Sequence, residues 1–371
     1  MVLTNIDKMQ KIKKVKVSRR KFIGTATTAL IGTSALGLTI IEGYAESKSR
    51  KTDIVSIVRV ENDNIANAVK EAIDLLGGIS QITSGQDRIM LKPNLVAPDR
   101  NYTTNPEVVL AVAKLMKDAG KHVMIGEGSA AADSFNVIDG EQYITKKEEI
   151  LDRMQQFVFD SLGYSKIAET LNIPLINLHT GEIVELPLKD GLVARSIKIH
   201  KKLTEVDLVC SIPIMKTHVL ATVTLAMKNL IGLYPGKEYY AMRSWLHDRA
   251  LEKGSDGVAY EIIDINRTVR TGLSIIDATI AMEGNGPTAG SLVDMGLIIA
   301  GTSPLATDMV GASIMGFEFD DIPTLKLAHN FKMKPSKMSD IEIRGLSIDE
   351  VKRPFIKPDI VTWTDFGYKE L

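Results

Sequence analysis

The 371-residue chain contains one cysteine, two tryptophans and only 5% aromatic residues. A single thiol, Cys210, cannot form an internal disulfide, and it falls three short of the four thiolates that hold an iron–sulfur cluster. Charge of one sign is also missing, since 45 Lys+Arg face 46 Asp+Glu. No Walker A loop, no nucleophile-elbow serine and no His-x-x-x-His pair occurs, and there is no internal repeat or low-complexity linker. Gly126-x-Gly128-x-x-Ala131 and Gly284-x-Gly286-x-x-Ala289 fit the loose dinucleotide fingerprint. Neither opens a helix directly after a first strand, so neither supports nucleotide binding.

What is present is unevenly distributed. Residues 1–45 hold eight Lys+Arg and only Asp7 and Glu42 as acids. Taking these from the totals leaves 37 basic and 44 acidic residues, about −7, which argues against nucleic acid as a partner. The basic stretch Lys8 to Arg20 precedes an uncharged run, Phe22–Ile41, diluted by threonine and glycine, and then Gly43-Tyr44-Ala45. That order matches a secretory signal with small residues before a cleavage point after Ala45. Ser18-Arg19-Arg20-Lys21-Phe22-Ile23 fits the twin-arginine pattern, so the translocation machinery that reads it is an expected partner, and the expected location is periplasmic or extracellular. About 20 residues would also span a bilayer, so an uncleaved anchor is the alternative. Twin-arginine cargo crosses folded, often with a cofactor already loaded.

Beyond residue 45 the pattern predicts one α/β domain, a mostly parallel sheet with helices on both faces and an α+β insertion near 135–205. Strands are expected at Ile54–Val60, Arg88–Leu91, Val123–Gly126, Leu208–Ile212, Leu273–Asp277 and Met295–Ala300. Helices are expected at Asn64–Leu76, Pro106–Ala119, Thr222–Ile231, Ala259–Thr271 and Pro304–Met315, from apolar spacing and from proline and glycine boundaries. Residues 140–172 read as helical, Ile173–Leu178 and Ile183–Leu188 as paired strands around His179-Thr180-Gly181, and Lys237–Gly257 as irregular.

In open parallel sheets, ligands sit beyond the carboxyl ends of strands. Here one strand after another runs into polar residues: Lys92-Pro93-Asn94, Glu127-Gly128-Ser129, Lys216-Thr217-His218, and Asp277 followed by Glu283-Gly284-Asn285. Each alone could be a turn or a cap; their repetition points to one cleft. Lys228 and Asn229 interrupt an apolar helix, and Arg243 and His247 lie four apart, able to share a helical face. Lys92, Lys216, Lys228 and Arg243 are expected to hold an anionic group of a small molecule, with Asn94, Asn229 and Asn285 as further ligand contacts. His218, His247 and Lys216 are the catalytic candidates, histidine titrating near neutrality. Glu127, Asp277, Glu283 and Asp308 could bind a divalent metal, the cofactor that hard oxygen donors suit. An acid such as Asp308 in a first helical turn can equally serve the macrodipole.

Leu91–Leu95, Thr103–Gly120 leading to Glu127, Lys216-Thr217-His218, Lys228-Asn229-Leu230-Ile231-Gly232, Arg243 with His247, and Asp277–Gly290 followed by Gly301–Asp308 resemble, as a set, the family called domain of unknown function 362. The resemblance covers roughly residues 52–318. It implies no defined activity. Many members carry an appended ferredoxin-like cluster module, whose cysteines this chain lacks, and twin-arginine leaders occur among them. The expectation is therefore an exported protein with a small anionic ligand at its strand ends, acting by acid/base chemistry with a metal. The alternatives are a solute- or cofactor-binding protein without turnover and a redox-associated accessory protein.

Overall fold

The computed structural model describes residues 52–254, 258–365 and 369–371. The expected leader, residues 1–45, lies outside them. The protein is α/β. Eight strands form the main path of its sheet, in the order Ile341–Gly345, Asp53–Arg59, Ser291–Gly301, Thr271–Glu283, Leu208–Ile212, Arg88–Pro93, His122–Glu127 and Leu175–Asn177. Ile214–His218 pairs with the distal part of Thr271–Glu283, and Thr222–Thr224 pairs with Ile214–His218. Most neighbours run parallel; Ser291–Gly301 is antiparallel to both of its neighbours.

Alternation along the strands covers both faces, as a parallel sheet requires. Ile89, Leu91, Leu208, Cys210, Leu273 and Ile275 point to one side, against helices Ile65–Leu75, Pro106–Asp118 and Glu148–Leu162. Met90 and Val209 point to the other, against Leu230, Leu233, Tyr234 and Ile265. On the same opposite side, Val55, Ile57, Ile276 and Ile299 meet helix Pro304–Ile314. Burying each such aliphatic side chain contributes roughly 1.5–3 kcal/mol. Local chemistry sets the helix ends: Asn64, Asn105 and Ser303 accept backbone N–H groups at their helix starts, and Pro106 and Pro304 occupy first-turn positions.

Several local expectations need correction. Ile183–Pro187 pairs with Ser196–His200 and not with the 175–177 strand, which joins the edge of the main sheet. Thr222–Ile231 is not one helix: Thr222–Thr224 is a strand, and only Ala226–Asn229 is α-helical before a 3-10 turn. β-Branched residues account for the strand. The stretch read as irregular contains helix Ser244–Glu252. Glu141–Ile144 is extended where a helix was expected. Leu273–Asp277 is the first part of the 13-residue strand Thr271–Glu283, which forms a hairpin with Ser291–Gly301.

Candidate functional site

Strands Arg88–Pro93 and His122–Glu127 are parallel neighbours, so their carboxyl ends deliver Lys92 and Glu127 side by side. The Lys92 ammonium donates to both Glu127 oxygens at 2.9 and 2.8 Å, to the Pro93 carbonyl at 2.9 Å and to Asn229 Oδ1 at 3.1 Å. Glu127 also accepts the backbone N–H groups of Leu95 and Gly128. The pair is almost fully buried. Burial pulls the Lys92 pKa below its ordinary value, and Glu127 works against that shift. Asn229 closes the arrangement by donating to the Lys92 carbonyl and to Ser211 Oγ. Gly232 must be glycine: a Cβ there would lie 2.2 Å from Glu127 Oε1 and 2.6 Å from Lys92 Nζ.

Arg243 sits at the start of helix Ser244–Glu252 with φ of 59°, a left-handed conformation that costs an arginine roughly 1–3 kcal/mol. Its guanidinium donates to the carbonyls of Ala241, Gly128, Gly232 and Ser129. No carboxylate pairs with it among the described residues, and its charge is spread over carbonyl dipoles. Burial lowers its pKa to about 10.

These groups border a cleft of about 200 Å³. Lys92, Asn94, Glu127, His218, Lys228, Asn229, Arg243 and His247, all singled out by their positions in the sequence, line it. Leu95, Ile231, Met242 and Trp363 add apolar wall. Its location is the carboxyl edge of the sheet, where the topology rule places a ligand. His218 Nδ1 accepts the Leu220 N–H at 3.0 Å, which puts the ring proton on Nε2. Burial, with Lys228 and Lys216 nearby, holds His218 well below its ordinary pKa. His247 Nδ1 is hydrogen-bonded to the fully buried Glu261 carboxylate, which fixes the orientation of the ring. The Trp363 ring meets the His247 ring edge-on at 4.6 Å. Burial raises the Glu261 pKa, while His247 and Lys228 oppose the rise.

Lys228 is different. Among the described residues its ammonium has no hydrogen-bond or ion-pair partner, and it borders the cleft. Its pKa falls to about 8 through burial, with Lys92 and Arg243 adding to the fall and Glu261 opposing it. Asn94 Oδ1 is also buried without a partner.

The remaining candidates do not gather here. Lys216 is buried away from the cleft lining, its ammonium donating to the carbonyls of Tyr102 and Pro287. Asn285 is exposed in the hairpin turn and exchanges hydrogen bonds with Asp359. The expected metal set is dispersed, and no group of three or more His, Cys, Asp or Glu fit to hold a metal exists among the described residues. Asp277 accepts from the Asn105 and Thr279 backbones, Glu283 from Ile356, and Asp308 from Ala226 and Met227. Three of the four carboxylates are thus occupied as backbone acceptors, while Glu127 is locked to Lys92.

Two contributors escaped sequence reasoning. Glu261 orients His247; its signal was an acid inside an apolar helix, beside Ile262, Ile263 and Ile265. His179, fully buried, bridges Ser129 and Gly236 and so fixes the loop after Glu127 against the segment leading to Arg243.

Three comparisons relate the chain to known proteins. The thylakoid-associated protein sll1697 of Synechocystis sp. (strain ATCC 27184 / PCC 6803 / Kazusa) is 28% identical over 326 residues, 84% of this chain and 90% of that protein. The lactate racemase apoprotein from Thermoanaerobacterium thermosaccharolyticum aligns with a TM-score of 0.42 and 10% identity, covering 71% of this chain and 56% of that one. A family description matches residues 89–313, a span that includes the strand ends, Lys228, Arg243, His247 and Glu261. By that match the chain belongs to the family described as Domain of unknown function (DUF362).

Proposed function

We propose that the cleft binds a small organic anion and moves a proton on it, with His247 as base and His218 as acid. The observation that carries this reading is a pair of histidines lining one cleft, each held through Nδ1, His218 by the Leu220 N–H and His247 by the Glu261 carboxylate. In this reading His247, oriented by Glu261 through Nδ1, offers Nε2 as the base, and the Nε2 proton of His218 serves the acid. Base, orienting carboxylate and separate acid are what general acid/base catalysis needs, and each histidine is worth about 10²–10⁴-fold in rate. The anion preference follows from charge. Lys92 and Glu127 offset each other, and Glu261 offsets Lys228, which leaves the Arg243 charge uncompensated. Asn94 Oδ1 adds an acceptor for a ligand hydroxyl or amine.

The test uses small carboxylates with a C–H acidified by an adjacent carbonyl group, incubated with the protein in D2O and followed by proton NMR. The wild type is expected to exchange that C–H for deuterium. His247→Gln should slow exchange about 10²–10⁴-fold while leaving ligand affinity within about threefold. Exchange unchanged in both His247→Gln and His218→Gln would overturn the assignment. Binding without exchange in the wild type would make the protein a solute-binding protein without turnover.

We also propose that residues 1–45 direct export by the twin-arginine route, a reading supported by Ser18-Arg19-Arg20-Lys21-Phe22-Ile23. Replacing Arg19 and Arg20 by lysine should leave the protein in the cytoplasm; unchanged export would contradict it.

A further inference from the structure

Three lysines stand around this end of the sheet, Lys92 and Lys216 buried and Lys228 half-buried, and their surroundings differ. Lys92 spends its ammonium protons on Glu127, Pro93 and Asn229. Lys216 donates to two backbone carbonyls. Lys228 donates to nothing among the described residues and borders the cleft. A half-buried ammonium with no carboxylate or carbonyl to hold its protons, set among other cations at a cleft, is poorly stabilised as a cation, and the corresponding free amine is a nucleophile.

We propose that Lys228 is an amine nucleophile that condenses with the carbonyl of a small anionic aldehyde or ketone, such as a keto acid, to form an imine. This rests on the anion-binding reading of the same cleft and names its substrate class. The Lys228 Nζ lone pair attacks the carbonyl carbon, and the carbonyl π bond breaks toward oxygen, which takes the proton from His218 Nε2. Nitrogen passes one proton to His247 Nε2, giving a carbinolamine. His247 returns that proton to the hydroxyl, which leaves as water while the C=N bond forms. The iminium then gives its remaining proton to His218. Oxygen gains the two protons that nitrogen loses, both histidines end as they began, and no oxidant or reductant is consumed. Glu261, through its bond to His247, positions that base.

The groups facing Lys228 bear on its pH response. Lys92 and Arg243 favour the free amine, Glu261 favours the ammonium, Lys216 and His218 stand near enough to feel its charge, and Asp308 shares a small void with it. With its pKa at about 8, a substantial fraction is free amine at pH 7.5–8, where exposed lysines are almost wholly protonated.

The experiment treats the folded protein with glyoxylate or pyruvate plus cyanoborohydride at pH 7.5, followed by intact-mass measurement and peptide mapping. One carboxymethyl or carboxyethyl group is expected on Lys228, forming at least tenfold faster than on any other lysine. Lys228→Arg should lose it. Glu261→Gln should move the pH midpoint of adduct formation downward, because the opposing charge is gone. Acetate, which has no aldehyde or ketone, is titrated in parallel by calorimetry. Acetate and glyoxylate binding without a Lys228 adduct would overturn the imine proposal and leave the anion site standing; failure of both to bind would remove both readings. Labelling spread evenly over surface lysines would also overturn it. Mapping is done on the wild type, so the outcome does not depend on a variant folding.

Discussion

The two walls of the cleft are built on opposite principles. On the sheet wall, Lys92 and Glu127 are buried and saturated: every polar atom faces a partner, and Asn229 ties the pair to the neighbouring strand through Ser211. On the helical wall, Lys228 has no hydrogen-bond or ion-pair partner among the described residues, and Glu261 Oε2, outside the cleft lining, is buried without one. Arg243, which also lines the cleft, donates only to backbone carbonyls. A saturated buried ion pair holds structure in place, whereas unsatisfied polar atoms facing a cavity retain capacity for a ligand. Residue type alone does not separate the two: each wall presents a lysine.

The largest effect should come from forcing the saturated wall apart. Gly232→Val would drive a side chain into the Lys92–Glu127 contact, because even a Cβ lies within 2.6 Å of both partners. A loss of about 3–5 kcal/mol is expected from separating a buried pair, measured by urea unfolding. Unfolding at the wild-type midpoint would show the contact to be slack. The smallest effect should come from outside the cleft. Asn285→Ala removes only exposed bonds to Asp359, so stability should move by under about 0.5 kcal/mol and glyoxylate affinity should not change. A tenfold loss of affinity there would extend the site to the hairpin turn and blur the contrast between the walls.

Much of this was legible in the sequence because a parallel sheet places its functional residues by rule. Lys92, Glu127 and His218 each follow an apolar run, so their shared edge could be read once the strands were recognised. Lys228 stood out as a charge in an apolar segment, and Arg243 with His247 by helical spacing. The carboxylates were harder. Asp277, Glu283 and Asp308 look like ligands in one dimension, but each accepts backbone N–H groups from segments distant in sequence, Asn105, Ile356 and Ala226. Such partners depend on how the chain crosses itself, which composition and periodicity do not encode. Glu261 was hidden for the converse reason: helical periodicity shows that an acid is out of place without showing which histidine it meets. Thr222–Thr224 was misread because three residues are too few to display a strand period beside a helix.

The central claim is that two lysines bordering one cleft do different work, and chemical unfolding of Lys92→Met and Lys228→Met at pH 7 tests it most directly. Lys92→Met should lose about 3–5 kcal/mol, because Glu127 is left buried without its cation. Lys228→Met should hold wild-type stability to within about 1 kcal/mol or exceed it, since at pH 7 it removes a partnerless ammonium whose pKa burial has pushed to about 8. Equal destabilisation by the two substitutions would contradict the account.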